Sequence, residues 1–364
     1  MFIHWYDPSV RLTGRWTRLV REGDDPHLFV QPTARFTTTT APGSYFELAF
    51  EGETALLHFD LGYLGQPFPH LWLSLDGGAS IEAPVDRYLR VTAVGEGEHV
   101  LRVTYKGGME QLPRWYAPLM GAISFIGAEV KAAALLPEDN RPLIEFVGDS
   151  ITEGVLIDAD YDATPANPVN DQFNRPYQDD NCATYAALTA RRLNLRAMFQ
   201  AYGAVGLTRT GCGSVPRAGL IYPWVYDGVP YTGEKPDVVV INHGANDRGA
   251  TAEEYIARYL ELLRLVRERS PRAVIVCLSA FCGAFDEEVR RMVEEYRARD
   301  SKVYFVSSKG WVPLEPLHPL RGGHRAIADR FTPMLREILI KEGVSCDEGR
   351  GDPAGDVFLG AGRV

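Results

Sequence analysis

The chain has 364 residues, 45% of them hydrophobic and 24% charged, which is enough for two domains with separate cores. A formal charge of -10 and a pI near 5.4 leave no basic surface to neutralise phosphates, which excludes nucleic acid as a partner and argues against an anionic membrane. No stretch approaches the ~18 apolar residues of a spanning helix, and the start Met1-Phe2-Ile3-His4-Trp5 has no basic region before an apolar run, so the expectation is a cytoplasmic protein, or a secreted one if a leader was removed.

The first part, residues 1–132, is written in period two. Phe46, Leu48 and Phe50 alternate with Glu47 and Ala49, and Leu57, Phe59 and Leu61 with His58 and Asp60. Leu71, Leu73 and Leu75 follow, closed by Asp76-Gly77-Gly78, then Leu101, Val103 and Tyr105, closed by Gly107-Gly108. Half-buried strands at this spacing predict an all-β, jelly-roll-like sandwich. A polar stretch over 136–142 then marks a domain boundary near residue 133. Beyond it, apolar runs over 143–147, 195–201, 237–242, 273–279 and 302–306 alternate with helical patterns, among them 183–193, the set Tyr255, Tyr259, Leu262, Leu263, Val266, and the set Ile327, Phe331, Leu335, Ile338. Apolar strands alternating with helices predict an α/β domain over 133–344 with a doubly wound, parallel, five-stranded sheet. The polar segment 155–181 is a long excursion of the kind that usually carries function, and residues 345–364 form a tail in which Val357, Phe358 and Leu359 are the only apolar cluster able to dock.

Ligands of open parallel sheets bind beyond the carboxyl ends of the strands, and four short motifs fall there in order: Gly148-Asp149-Ser150-Ile151-Thr152, Gly206, Gly244-Ala245-Asn246-Asp247, and His318-Pro319. A serine hydroxyl becomes a competent nucleophile when a neighbouring base takes its proton, and His318 is the candidate base for Ser150. Attack on an ester carbonyl creates an oxyanion, which the N–H of Ser150, the N–H of Gly206 and the side-chain amide of Asn246 are placed to receive. The last two are the weaker assignments, with Gly203 an alternative to Gly206. The five cysteines form no CxxC pair and no metal-ligand spacing; they are expected to be reduced and mostly buried, and neither a metal nor an organic cofactor is implied.

These residues resemble the SGNH (GDSL-like) hydrolase superfamily, whose four blocks contribute Ser, Gly, Asn and His in this order. The β-sandwich placed ahead of that domain, with Gly14-Arg15-Trp16 near the start, resembles carbohydrate esterase family two. The resemblance implies a serine esterase that removes acetyl or other small acyl groups from carbohydrate, with an acetylated oligo- or polysaccharide as its partner. Where the superfamily has Asp three residues before the histidine, this chain has Glu315, so the resemblance leaves two candidates to orient His318: Glu315 or a backbone carbonyl. Trp224, Tyr226 and Trp311 are candidate platforms for sugar rings, and His243, at the end of the third parallel strand, is a candidate cleft residue. Three other readings stay open: the same machinery acting on a lipid or thioester, a carbohydrate-binding pair with an inactive hydrolase domain, and a metal-dependent phosphoesterase using Asp149, Asn246, Asp247 and the histidines. Oligomeric state is not legible.

Overall fold

In the computed structural model, residues 1–18, 35–62, 64–159 and 175–347 are described. The excursion is therefore seen only at its two ends, and the expected docking of Val357, Phe358 and Leu359 lies outside the described residues.

The amino-terminal part is antiparallel throughout: β1 (Phe2–His4), β2 (Val10–Thr13), β3 (Thr37–Thr39), β4 (Tyr45–Phe59), β5 (His70–Leu75), β6 (Ile81–Pro84), β7 (Tyr88–Thr92), β8 (Glu98–Gly107) and β9 (Ile123–Ala133). It is an all-β sandwich organised on β4, which pairs with β2, β7, β8 and β9. The two apolar runs expected as separate strands are halves of this one strand of 15 residues. Its first half pairs with β8 and its second with β7, while the pairing to β9 shifts register between Glu51 and Ala55, so the Glu51-Gly52-Glu53 interruption is a bulge and not a turn. Phe46 stacks on Phe125 inside, with Phe59 tilted against both, among Leu48, Leu57, Leu101 and Val103.

The second part alternates strand and helix: β10 (Leu143–Gly148), α1 (Ser150–Glu153), α2 (Arg175–Gln178), α3 (Tyr185–Arg192), β11 (Arg196–Ala201), α4 (Ala218–Ile221), the hairpin β12 (Trp224–Tyr226) and β13 (Val229–Pro230), β14 (Val238–Asn242), α5 (Ala252–Arg269), β15 (Val274–Leu278), α6 (Asp286–Tyr296), β16 (Val303–Val306) and α7 (Arg321–Lys341). The sheet is parallel, in the order β11-β10-β14-β15-β16. Alternate residues of each strand go to opposite faces. Val239, Ile241 and Ile275 pack with α5 and α6, and Val238, Val240, Val274 and Val276 with α3 and α7. The connection from β10 runs outward to β11 and the one from β14 runs the other way to β15, so a crevice opens at the carboxyl ends of the adjacent strands β10 and β14.

Arg15 of the sandwich crosses into this domain, donating through Nε and Nη2 to Glu145 Oε1 on β10 at 3.0 and 2.6 Å and through Nη1 to the Tyr222 carbonyl at 2.6 Å. A second crossing comes from residues 109–122. The Arg114 N–H donates to the Gly213 carbonyl at 3.1 Å, and the Arg114 guanidinium pairs with Glu153 on α1. Among the described residues no helix is long and apolar enough to cross a membrane. The cysteines are free, but Cys277 alone is buried; the other four are half-buried, because they sit on loops and helix ends and not on the sheet.

Candidate active site

Gly148 ends β10, where a Cβ would lie 2.3 Å from Thr152 Oγ1, so only glycine lets the strand turn straight into α1. Asp149 caps that helix, its carboxylate accepting from the Ile151 N–H at 3.0 Å, and Gly154 closes it at φ +91°. The cap side chain is turned into the protein, where burial pushes its carboxyl up to about 7. Ser150 is thereby fixed at the first helical position, 7% exposed. From the loop ahead of α7, His318 Nε2 comes to 2.9 Å from Ser150 Oγ across 168 residues of sequence. This is the contact that a hydroxyl nucleophile and its general base require.

The third parallel strand delivers Asn246 and Asp247. Asn246 Nδ2 donates one hydrogen to the Val205 carbonyl at 3.1 Å, which leaves its second hydrogen for a ligand. Asp247 is buried and braces the neighbouring loop: Oδ1 accepts from the Thr208 N–H at 2.8 Å and the Thr208 hydroxyl at 2.7 Å, and Oδ2 from the Leu207 N–H at 3.1 Å. Gly206 lies against this brace, where a Cβ would stand 2.5 Å from Asp247 Oδ1. Its N–H is already given to the Arg209 carbonyl at 3.1 Å. The expectation that Gly206 N–H receives an oxyanion is therefore corrected: the glycine makes room for Asp247 while its donor closes the loop on itself.

A sequence profile of the GDSL-like lipase/acylhydrolase family matches residues 146–354, more than half of the chain and all of the segment that carries these side chains. The chain belongs to the GDSL-like lipase/acylhydrolase family. It is 29% identical over 360 residues to the cellulase/esterase CelE of Acetivibrio thermocellus, a match covering 87% of this chain and 40% of that protein. The chain thus spans less than half the length of that relative. An acetylxylan esterase/glucomannan deacetylase of Cellvibrio japonicus is 24% identical over 281 residues, covering 71% of this chain and 74% of the relative. Among solved structures, a family two carbohydrate esterase from Clostridium thermocellum in complex with cellohexaose superposes with a TM-score of 0.67 at 26% identity, covering 92% of this chain and 99% of that one. One from Cellvibrio japonicus shares the fold at TM-score 0.72 and 20% identity, over 93% and 98% of the two chains.

Several of the residues expected at the site of this GDSL-like hydrolase lie elsewhere. Glu315 is exposed and makes no hydrogen bond or ion pair among the described residues, so it does not orient His318, whose Nδ1 has no hydrogen-bond partner among them either. Tyr226 is 2% exposed and belongs to the core beneath the β12–β13 hairpin, so its ring offers no face to a sugar. Trp224 and Trp311 are half-buried against the two cores of the sheet, Trp311 beside Phe331 at 6.4 Å, and Trp224 lends its carbonyl to Arg15 at 3.3 Å. His243 is 1% exposed and burial pulls its imidazole down to about 4, so it is a neutral interior residue and not a cleft residue.

Sequence reasoning missed the pair that surrounds His318 electrostatically. Glu110, from the sandwich, is 8% exposed and accepts from Arg175 Nη2 of the excursion at 2.9 Å; Arg175 is fully buried. Burial pulls the His318 imidazole below its ordinary value, the Glu110 carboxylate opposes this, and Arg175 adds to it. A general base must be neutral, so kcat/KM should rise through an acid limb lying below about 6.5, the ordinary histidine value. Glu110→Gln removes the opposing negative charge and leaves Arg175 uncompensated, so the limb is expected to move lower still. A pH profile of 4-nitrophenyl acetate hydrolysis checks both; a limb that stays in place or moves up in the variant contradicts the assignment.

Proposed function

We propose that the protein is a serine esterase that removes acetyl or similarly small acyl groups from carbohydrate. The 2.9 Å contact between Ser150 Oγ and His318 Nε2 is the observation that supports the chemistry. As the Oγ–carbon bond forms, the Ser150 proton passes to Nε2 and the carbonyl π pair moves onto oxygen. Collapse of that intermediate expels the sugar alkoxide, which takes the proton back from Nε2, and water then attacks the acyl-Ser150 by the same route in reverse.

Likeness over nine-tenths of the chain to a carbohydrate esterase that binds cellohexaose supports a sugar as the alcohol. Formal charge points the same way, since a chain at -10 suits a neutral polymer better than an anionic one. The competing reading, a hydrolase for longer acyl chains, has one observation in its favour: Leu314 and Leu317, 65% and 41% exposed, stand in the segment that carries His318. Acetate release from acetylated xylo- and manno-oligosaccharides, set against acyl esters of increasing length, separates the two. The expected outcome is preference for acetyl on sugar; preference for chains of about eight carbons or more would end the carbohydrate reading, because each buried CH₂ adds about 0.8 kcal/mol of apolar binding only where an acyl groove exists.

A further inference from the structure

His318 Nδ1 meets no hydrogen-bond partner among the described residues, so the place of the imidazole is set by the chain that carries it. The chain arriving from β16 gives it little hold, because Pro313, Leu314, Glu315 and Leu317 are exposed. The departing chain is fixed. Arg321, three residues on, opens α7; its N–H donates to the Ile157 carbonyl at 3.2 Å, and Leu320 packs on Val155, Leu156 and Ala159. The Arg321 guanidinium then bridges two carboxylates. Nε and Nη2 both donate to Asp158, Nη2 at 2.6 Å from Oδ2, and Nη2 also donates to Asp180 Oδ2 at 2.8 Å. A cation at a helix amino terminus opposes the helix dipole; the two carboxylates offset this, and the forked contact fixes direction as well as distance.

Asp180 is fully buried and holds more than Arg321. Its Oδ1 accepts from Trp72 Nε1 of the sandwich at 3.1 Å and from the Cys182 N–H at 2.9 Å. Its own N–H donates to the carbonyl of Gly154, the residue that closes α1, at 3.0 Å, and the Gly154 N–H donates to the Ser150 carbonyl at 3.0 Å. A Cβ at 154 would stand 2.4 Å from the Asp180 carbonyl oxygen, so this close approach requires the glycine. The helix carrying Ser150 and the loop carrying His318 are thus both anchored to one residue. We propose that Arg321, gripped by Asp158 and Asp180, is a positioning residue that sets the reach of His318 Nε2 to Ser150 Oγ. It acts through His318 and takes no part in the bond changes. The inference rests on the esterase reading of Ser150 and His318 and adds to it how the two are held together.

On 4-nitrophenyl acetate, Arg321→Gln in the full-length protein is expected to lower kcat about 10–100-fold with KM within about twofold, the cost of displacing a catalytic group by a fraction of an ångström to one ångström. Arg321→Lys keeps the charge and can reach one of the two carboxylates, so its kcat is expected to fall between those of the parent and Arg321→Gln. Asp158→Asn leaves the buried Asp180 partner in place and is expected to lose less than Arg321→Gln. The deciding readout is the His318→Ala background: with the base gone, Arg321→Gln is expected to change the residual rate by less than about twofold, whereas a general loosening of the fold would lower it again. The proposal is overturned if Arg321→Gln keeps the parent's kcat, if it lowers the residual rate of His318→Ala as much as it lowers that of the parent, or if Arg321→Lys is no better than Arg321→Gln. A parent that neither turns over the aryl ester nor is labelled at Ser150 by an organophosphate sinks the esterase reading, and this inference with it. Because the aryl ester carries no sugar, a parent active on it but silent on every acetylated glycan sinks the carbohydrate reading alone.

Discussion

Replacing Ser150 by alanine is expected to lower kcat for acetate release roughly 10⁴–10⁶-fold while leaving KM close to that of the parent. The hydroxyl is the atom that forms the new bond, and nothing near it can take over: Asp149 is turned inward as a helix cap, and Thr152 Oγ1 is engaged with the Tyr185 hydroxyl at 3.0 Å. Without Oγ the oxyanion donors remain, so a residual rate above water is expected, from water attacking a polarised carbonyl. His318→Ala is expected to cost nearly as much, because an unactivated serine is a weak nucleophile, and the double variant should lose little more than either single one. That non-additivity is the mark of two groups acting as one unit. Acetate release by the three variants measures it, and losses that multiply would mean that Ser150 and His318 work independently, against the 2.9 Å contact.

What was legible in the sequence follows a physical division. Strands announce themselves by which faces are covered, so the continuous apolar runs of the parallel sheet and the alternation of the sandwich stand out before any contact is known. Ser150, Asn246 and His318 are legible because each follows such a run and carries a side chain with evident chemistry. The engagement of the Gly206 N–H with the Arg209 carbonyl is not, since a main-chain hydrogen bond belongs to the folded loop and leaves no trace in residue type. Glu110 and Arg175 are invisible for another reason: one comes from the sandwich and the other from the excursion, and only tertiary packing brings them to 2.9 Å. The aromatic loop misled in the opposite direction. Tyr226 has the chemistry of a sugar platform, but it is buried, as are Tyr222 and Tyr231, whose ring faces lie 4.9 Å from the Arg15 guanidinium. Tyr222 and Tyr231 line an interdomain socket.

That socket carries the second large expectation. Arg15 is 1% exposed and Glu145 fully buried, with Tyr222 closing the network by donating its hydroxyl to Glu145 Oε2 at 2.8 Å. Truncating either partner strands an uncompensated charge in the interior, so Arg15→Met and Glu145→Leu are each expected to cost about 3–5 kcal/mol of stability. Removing both charges together leaves apolar groups in a pocket already walled by aromatic rings, and the double variant is expected to be less destabilised than either single one. Denaturant unfolding of the four proteins completes the cycle; additive losses would show that the pair is not coupled in the way the 2.6 Å contact requires. Activity provides an independent readout. Arg15 and residues 109–122 both join the sandwich to the hydrolase domain, and the latter segment holds Glu110 beside Gly203, where a Cβ would lie 1.9 Å from its carboxylate. A double variant in which the sandwich stays seated is therefore expected to keep the acid limb of the parent, because both the Glu110 carboxylate and the burial of His318 are retained.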